Sequence, residues 1–443
     1  MSKLALLGGT PVRTKIWPGY RTVGEEEKRV LCEVIDSGVL SGYQGAWDPA
    51  FYGGPRVQKF EEEWAKYFGF NHAVAVNSAC SGLYAAVGAV GLEPGDEVIV
   101  SPYTMSATAT AIVVYGGVPV FADIKDDTFC IDPASIEERI TPRTRGIMVV
   151  HIFGHPADMD EILAIARKHG LWIIEDCAQI PGGMYKNQYV GAMGDLGVFS
   201  LNRHKHIQSG EGGVVTTNNA LLAERVQLIR NHGESVVEGK GVDEINNIIG
   251  FNYRMTELEA AVGLQQLYKL RNLIDTRIRN AEYIASKLGG FPGITAPNVY
   301  PGAKHVYYVQ PFKFNEQIIG VERNLFVAAM KAELPAFELQ EAEGPLVYGG
   351  YVKPLYYLPM FQRKIAFGKS GYPFVSPYYK GQADYSPGIC PVAERMHFKE
   401  LMSHEYMRPP ATMADLNDFI DAFSKVYENR HDLLELKNKK AQD

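Results

Sequence analysis

The sequence predicts an α/β fold, a mostly parallel central sheet flanked by helices, with a smaller C-terminal α+β domain. Three observations predict it. From "GEEEKRVLCEVIDSG" onward, strand and helix patterns alternate. The strand runs are continuously apolar, as strands covered on both faces require. Beyond residue 285 the pattern becomes less regular and rich in aromatic residues, proline and glycine. At 443 residues the chain is also too long for one core, so two domains are expected.

Residues 1–24 read as an arm with little periodic pattern. The large domain takes residues 25–284. Within it, "SGLYAAVGAVGLEPGDEVIVSPYTMSATATAIVVYGGVPVFADI" reads helix, Pro-Gly turn, strand, helix, Gly-Gly turn, strand. A strand ends at Val76, before this segment, and the helix starts around Ser81. Next come "TRGIMVVHIFG" (strand), "DMDEILAIARKHG" (helix closed by Gly170) and "LWIIEDCAQ" (strand). "GDLGVFSL" and "GGVVTTNN" are two more strands, bracketing a polar loop. Thr256 followed by Glu259 is a capping box that opens a long helix leading out of the domain. Residues 285–443 form the small domain, whose last stretch, "ELKNKKAQD", is charged and expected to fray.

Composition excludes several function classes. A net charge of −7 gives no general attraction to nucleic acid or to an anionic membrane. The five cysteines (Cys32, Cys80, Cys130, Cys177 and Cys390) are scattered, odd in number and without a CxxC pair. That favours a reducing compartment and argues against a structural metal site. No segment is apolar over the roughly 18 residues that a membrane span needs, so a cytoplasmic location is expected.

Four pieces carry chemistry. "VNSACSGLYAAV" places small residues where a strand meets a helix N-terminus, a setting that suits an anion. "IIEDCAQ" puts Asp176 at the carboxyl end of an apolar strand, where open α/β sheets place ligand contacts. Glu175 and Asp176 face opposite ways, so only one need point into a site. "SLNRHKHIQSGEGG" sets Ser200 at a strand end and Lys205 on a glycine-rich return loop. "GFNYRMTELEAA" carries Asn252 just ahead of the capped helix. Singly these also read as an ordinary capped helix, a solvated carboxylate, a surface lysine and a loop asparagine. Together, an anion cradle, a strand-end carboxylate and a loop lysine are the three holds of pyridoxal phosphate.

On "NSACSGL", "IIEDCAQ", "FSLNRHKHIQSGEGGVV" and "FNYRMTELEAAVG" the sequence resembles the DegT/DnrJ/EryC1/StrS family of sugar aminotransferases, fold-type I pyridoxal-phosphate enzymes. The resemblance covers residues 25–285 well and the remainder loosely. It implies that Lys205 forms the Schiff base and shuttles the proton, and that Asp176 partners the pyridine nitrogen. It further implies that Gln179 lies over the hydroxyl side of the ring, and that Ser200 with the Ala79–Cys80–Ser81 turn holds the phosphate. Asn252 would reach the phosphate in the neighbouring subunit, so the resemblance implies a homodimer with shared active sites.

Two departures from the family pattern stand out. The position after "SPYT", usually an aromatic that stacks on the ring, is Met105; Tyr103 is the alternative stacker. "YQGAWDPAFYG" looks like an insertion, whose Trp47 and Tyr52 line a substrate entrance or pack a loop; we adopt the second reading. His204 and His206 read as packing or hydrogen-bonding residues.

The function implied by the resemblance is ping-pong transfer of an amino group from L-glutamate or L-glutamine to a keto sugar. The acceptor is a keto-cyclitol or a nucleotide-linked sugar, with "LGGTPVRT" and "KPLYYLPMF" pointing to the former. The alternatives are a sugar dehydratase, which carries histidine at the position of Lys205, and a non-catalytic regulatory protein of the same fold.

Overall fold

The computed structural model describes residues 3–434; the terminal "ELKNKKAQD" lies outside the described residues. The chain first builds β1 (His72–Val76), β2 (Glu97–Val100), β3 (Val118–Phe121), β4 (Thr144–Val150) and β5 (Trp172–Asp176). A separate two-stranded hairpin follows, β6 (Met184–Tyr185) with β7 (Gln188–Tyr189), and then β8 (Leu196–Ser200) and β9 (Gly213–Thr217). Apart from the hairpin, these strands form one sheet in the order β1-β9-β8-β5-β4-β2-β3. From β3 to β8 all pairings are parallel, whereas β9 runs against both β8 and β1. The sheet is therefore mostly parallel, as expected.

The helices of this part are α1 (Glu25–Ser37), α2 (Pro55–Phe68), α3 (Ala79–Ala89), α4 (Ser106–Val114), α5 (Pro133–Arg139), α6 (Met159–His169), α7 (Ala220–Arg230), α8 (Val237–Lys240) and α9 (Glu257–Leu288). Gly170 closes α6 at φ 65°. Strand residues Ile147 to Val150 and Ile173–Ile174 are buried, each contributing roughly 1.5–3 kcal/mol of apolar burial. The close seat of α3 on the sheet depends on Gly82. A Cβ there would lie 2.9 Å from Val198 Cγ1 and 3.2 Å from Val215 Cγ2.

The capping box is present at the start of α9. Thr256 Oγ1 accepts from Glu259 N, and Glu259 Oε2 accepts from Thr256 N. This 32-residue helix carries the chain to a second, antiparallel sheet, β10 (Ile294–Thr295), β11 (Gln310–Phe314), β12 (Val347–Gly349) and β13 (Leu401–His404), in the order β10-β11-β13-β12. Helices Arg323–Glu333 and Met413–Glu428 pack on it around a second buried cluster.

The N-terminal arm is anchored here. Leu4 and Trp17 are fully buried in that cluster, and the Glu333 carboxylate accepts from the N–H groups of Ala5 and Val12. The aromatic run behaves differently. Tyr356, Phe361, Phe374, Tyr379 and Tyr385 return to the cluster on the seven-stranded sheet. They are core, the reading the sequence favours for most of that run.

The insertion packs as a loop. Trp47 meets Phe51 and Tyr52 edge-on, and the Lys240 amine sits 4.8 Å from the centre of its ring. Among the described residues no helix is long and apolar enough to cross a membrane.

Candidate active site

A cavity of about 320 Å³ opens at the carboxyl ends of β4, β5 and β8. Val150, Asp176 and Ser200, the last residues of those three strands, all line it. This is the position that strand direction dictates in a parallel sheet.

Asp176 is 6% exposed. Its Oδ2 accepts from Thr108 Oγ1 at 2.7 Å and its Oδ1 accepts from Ala178 N at 3.1 Å. Both donors are neutral, and among the described residues no arginine or lysine forms an ion pair with it. A buried carboxylate so placed lacks a cation. Its neighbour Glu175 faces the other way and is fully satisfied there. It accepts from the N–H groups of Gly191, Met193 and Gly194 and from His151 Nε2. The His151 tautomer follows, because Nδ1 accepts from Ala157 N.

The anion-suited corner is the start of α3. Ser78 is the N-cap; its Oγ accepts from Ser81 N and its carbonyl from Gly82 N. That leaves the N–H groups of Ala79 and Cys80 for a ligand, and both residues line the cavity. Desolvation against the cavity wall, with the nearby Asp176 and Glu211 carboxylates adding to it, pushes the Cys80 thiol pKa up. The helix starts two residues before the expected Ser81. Ser81 itself turns away, its Oγ donating to Asn77 Oδ1 at 2.6 Å, and it does not line the cavity.

Lys205 lies on the loop between β8 and β9. Asn202 shapes that loop: its carbonyl accepts from Lys205 N, and its side-chain amide donates to Glu211 Oε1. The Lys205 amine sits 4.4 Å from the centre of the Tyr308 ring, and both residues line the cavity. His206 points away into the protein, with Nε2 donating to the Val306 carbonyl, and burial holds its pKa far below the usual histidine value. His204 lines the cavity. Its pKa is lowered by burial first and by Arg203 second.

Gln179 is pinned at both ends of its amide. Oε1 accepts from Phe153 N at 2.6 Å, and Nε2 donates to Tyr351 OH at 2.9 Å. Phe153 holds φ 59°, a left-handed conformation that costs a non-glycine residue roughly 1–2 kcal/mol.

Ala79, Cys80, Met105, Asp176, Gln179, Ser200 and Lys205 thus share one cavity, with Met105 at 59% exposure. Tyr103 does not join them. It is fully buried, and its OH accepts from Tyr351 N, so it cannot replace Met105 as a wall. Asn252 lies outside this cavity, exposed, with its Oδ1 accepting from Arg254 Nε. Sequence reasoning missed Tyr308, Tyr351 and Thr108. Thr108 was within reach, one helical turn beyond Met105 in "SPYTMSAT".

The profile of the DegT/DnrJ/EryC1/StrS aminotransferase family matches residues 44–364. The chain belongs to this family. It is an aminotransferase of fold type I. Among its relatives is the spore coat polysaccharide biosynthesis protein SpsC of Bacillus subtilis (strain 168), 35% identical over 81% of this chain and 88% of SpsC. The L-glutamine:2-deoxy-scyllo-inosose aminotransferase of Streptoalloteichus tenebrarius is 32% identical over 97% of this chain and 99% of its own length. In three dimensions the chain is similar to NtdA from Bacillus subtilis with bound cofactor PMP. The TM-score is 0.71 at 26% identity, covering 91% of this chain and 82% of NtdA. The family is one of pyridoxal-phosphate-dependent aminotransferases, and named relatives of this chain act on sugars and cyclitols.

Proposed function

We propose that the cavity binds pyridoxal phosphate and moves an amino group from L-glutamate or L-glutamine to the ketone of a keto-cyclitol or nucleotide-linked keto sugar. The observation that carries this reading is Asp176, a buried carboxylate with no ion-pair partner among the described residues, which shares a cavity with an amine and a helix N-terminus.

The donor set fits the cofactor. Asp176 would hold a proton on a ring nitrogen, and the protonated ring would be the cation its carboxylate lacks among the described residues. Ala79 N, Cys80 N, Ser200 Oγ and Asn202 suit the phosphate. Met105 and Gln179 flank the space between. Bound there, pyridoxal phosphate supplies an electrophilic carbonyl carbon and a ring that accepts electrons. Lys205 Nζ would supply the nucleophile and the base that moves the proton at the substrate carbon. Thr108 fixes the orientation of the Asp176 carboxyl group by donating to its Oδ2. The Tyr308 ring restricts where the Lys205 amine travels.

The full-length match to a 2-deoxy-scyllo-inosose aminotransferase supports the cyclitol over the nucleotide-linked sugar, and supports glutamine as donor. The pocket does not add to this. "LGGTPVRT" packs into the C-terminal unit, and "KPLYYLPMF" lies outside the residues that line the cavity. We also infer that Asn252 completes the cavity of a second copy and that the enzyme is a cytoplasmic homodimer.

Absorption spectroscopy tests the reading. Purified enzyme loaded with pyridoxal phosphate shows a visible band that glutamine or glutamate removes and an acceptor ketone restores. Failure of both donors to change the band would contradict it.

A further inference from the structure

Tyr351 comes from the C-terminal half of the sequence, two residues after β12, yet it closes on the cavity at the end of the central sheet. Two bonds register it there. Tyr351 N donates to Tyr103 OH at 2.8 Å, and Tyr351 OH accepts from Gln179 Nε2 at 2.9 Å. Its ring meets Phe153 edge-on at 5.1 Å and Tyr103 edge-on at 6.2 Å. Burial drives the phenol pKa upward, so Tyr351 stays a neutral hydroxyl.

Phe153 ties the same group together from the other side. Its N–H donates to Gln179 Oε1, and its carbonyl accepts from Tyr308 N at 2.7 Å. Tyr308 is the residue whose ring faces the Lys205 amine. The amide of Gln179 is thereby fixed in one orientation: oxygen toward Phe153, and one N–H toward Tyr351. Its second N–H is the donor left over for the cavity.

We propose that Tyr351 is a positioning residue, which orients the Gln179 amide so that it presents an N–H donor to an oxygen on the bound cofactor ring. This rests on the cofactor reading above. A fixed donor favours an anionic ring oxygen, so it strengthens cofactor binding and lowers the pH at which the bound cofactor's visible band titrates. Without the phenol OH the amide is held only at its oxygen end and its free N–H wanders.

The test is a double-mutant cycle on the loaded enzyme. Tyr351→Phe keeps the ring and removes only the hydroxyl. Its cofactor dissociation constant rises about three- to tenfold, its band titrates at higher pH, and its melting temperature stays near that of the wild type. In a Gln179→Ala background the same change alters neither the dissociation constant nor the titration. Tyr351→Phe with wild-type affinity and titration overturns the proposal. So does an equal effect with and without Gln179, which would mean that Tyr351 merely packs. A wild-type protein that takes up no pyridoxal phosphate overturns the cofactor reading and this inference with it.

Discussion

Thr108 Oγ1 donates its one proton to Asp176 Oδ2 at 2.7 Å, while Thr104 Oγ1 lies 3.2 Å behind it. The hydroxyls form a short relay of donors that ends on the carboxylate. Cutting it should be felt in catalysis. Thr108→Val removes a hydrogen bond to a charged group, worth about 1.5–3 kcal/mol, and turnover is expected to fall about tenfold or more. Asp176→Asn keeps the shape and removes the charge, and turnover is expected to fall about 10²–10⁴-fold. Steady-state kinetics on the two variants give the comparison; equal activity in Asp176→Asn would remove Asp176 from the chemistry.

Gly82 sets how near α3 lies to β8 and β9, with 2.9 Å to Val198 for any added Cβ. Gly82→Ala is expected to destabilise the protein by about 1–3 kcal/mol. It should also loosen cofactor binding, because the N–H groups of Ala79 and Cys80 ride on the same helix. Thermal melting with and without pyridoxal phosphate measures both effects.

Buried neutral histidines give the protein an acid limb. Burial lowers His404 to about 3 and holds His206 and His305 far below their usual value. In the unfolded chain these rings take up protons near pH 6.5, whereas in the folded protein they do not until much lower pH. The contribution of these rings to stability is therefore full above about pH 6.5 and declines as pH falls. Each such histidine contributes about 1.4 kcal/mol per pH unit to that decline. Denaturant melts between pH 7 and pH 5 should show the decline, and His404→Phe should make it shallower by one proton.

Asn252 stands outside the cavity of its own chain, exposed beside Arg254. If it serves a second copy, Lys205→Ala and Asn252→Ala proteins are each inactive but regain activity on mixing. Random pairing restores about a quarter of the sites. Mixtures that stay inactive after subunit exchange would count against sharing.

The sequence disclosed the parts of the site that local pattern controls. Asp176 and Ser200 end strands whose apolar runs are unmistakable, and strand direction then puts both at one end of the sheet. Lys205 follows because its loop is bounded by two such strands. Thr256 and Glu259 sit three apart, so the start of α9 was legible as a capping box.

What was hidden depends on tertiary contact. Tyr351 and Tyr308 reach the cavity only because the chain, after leaving along α9, comes back across the sheet. Nothing local in the aromatic run separates Tyr351 from Tyr356, which is core. Tyr103 and Met105 were exchangeable on paper. Their roles part only because Tyr103 is used to seat Tyr351 from inside. The family resemblance implies Ser81 in the phosphate turn, whereas in the fold Ser78 captures its N–H and Asn77 its hydroxyl.

Covalent attachment of the cofactor to Lys205 is read out by mass spectrometry. Enzyme loaded with pyridoxal phosphate is reduced with borohydride, digested and mapped. One phosphopyridoxyl group is expected, on Lys205, and it is absent in Lys205→Ala. No adduct, or an adduct on a different lysine with Lys205 unmodified, would contradict that attachment.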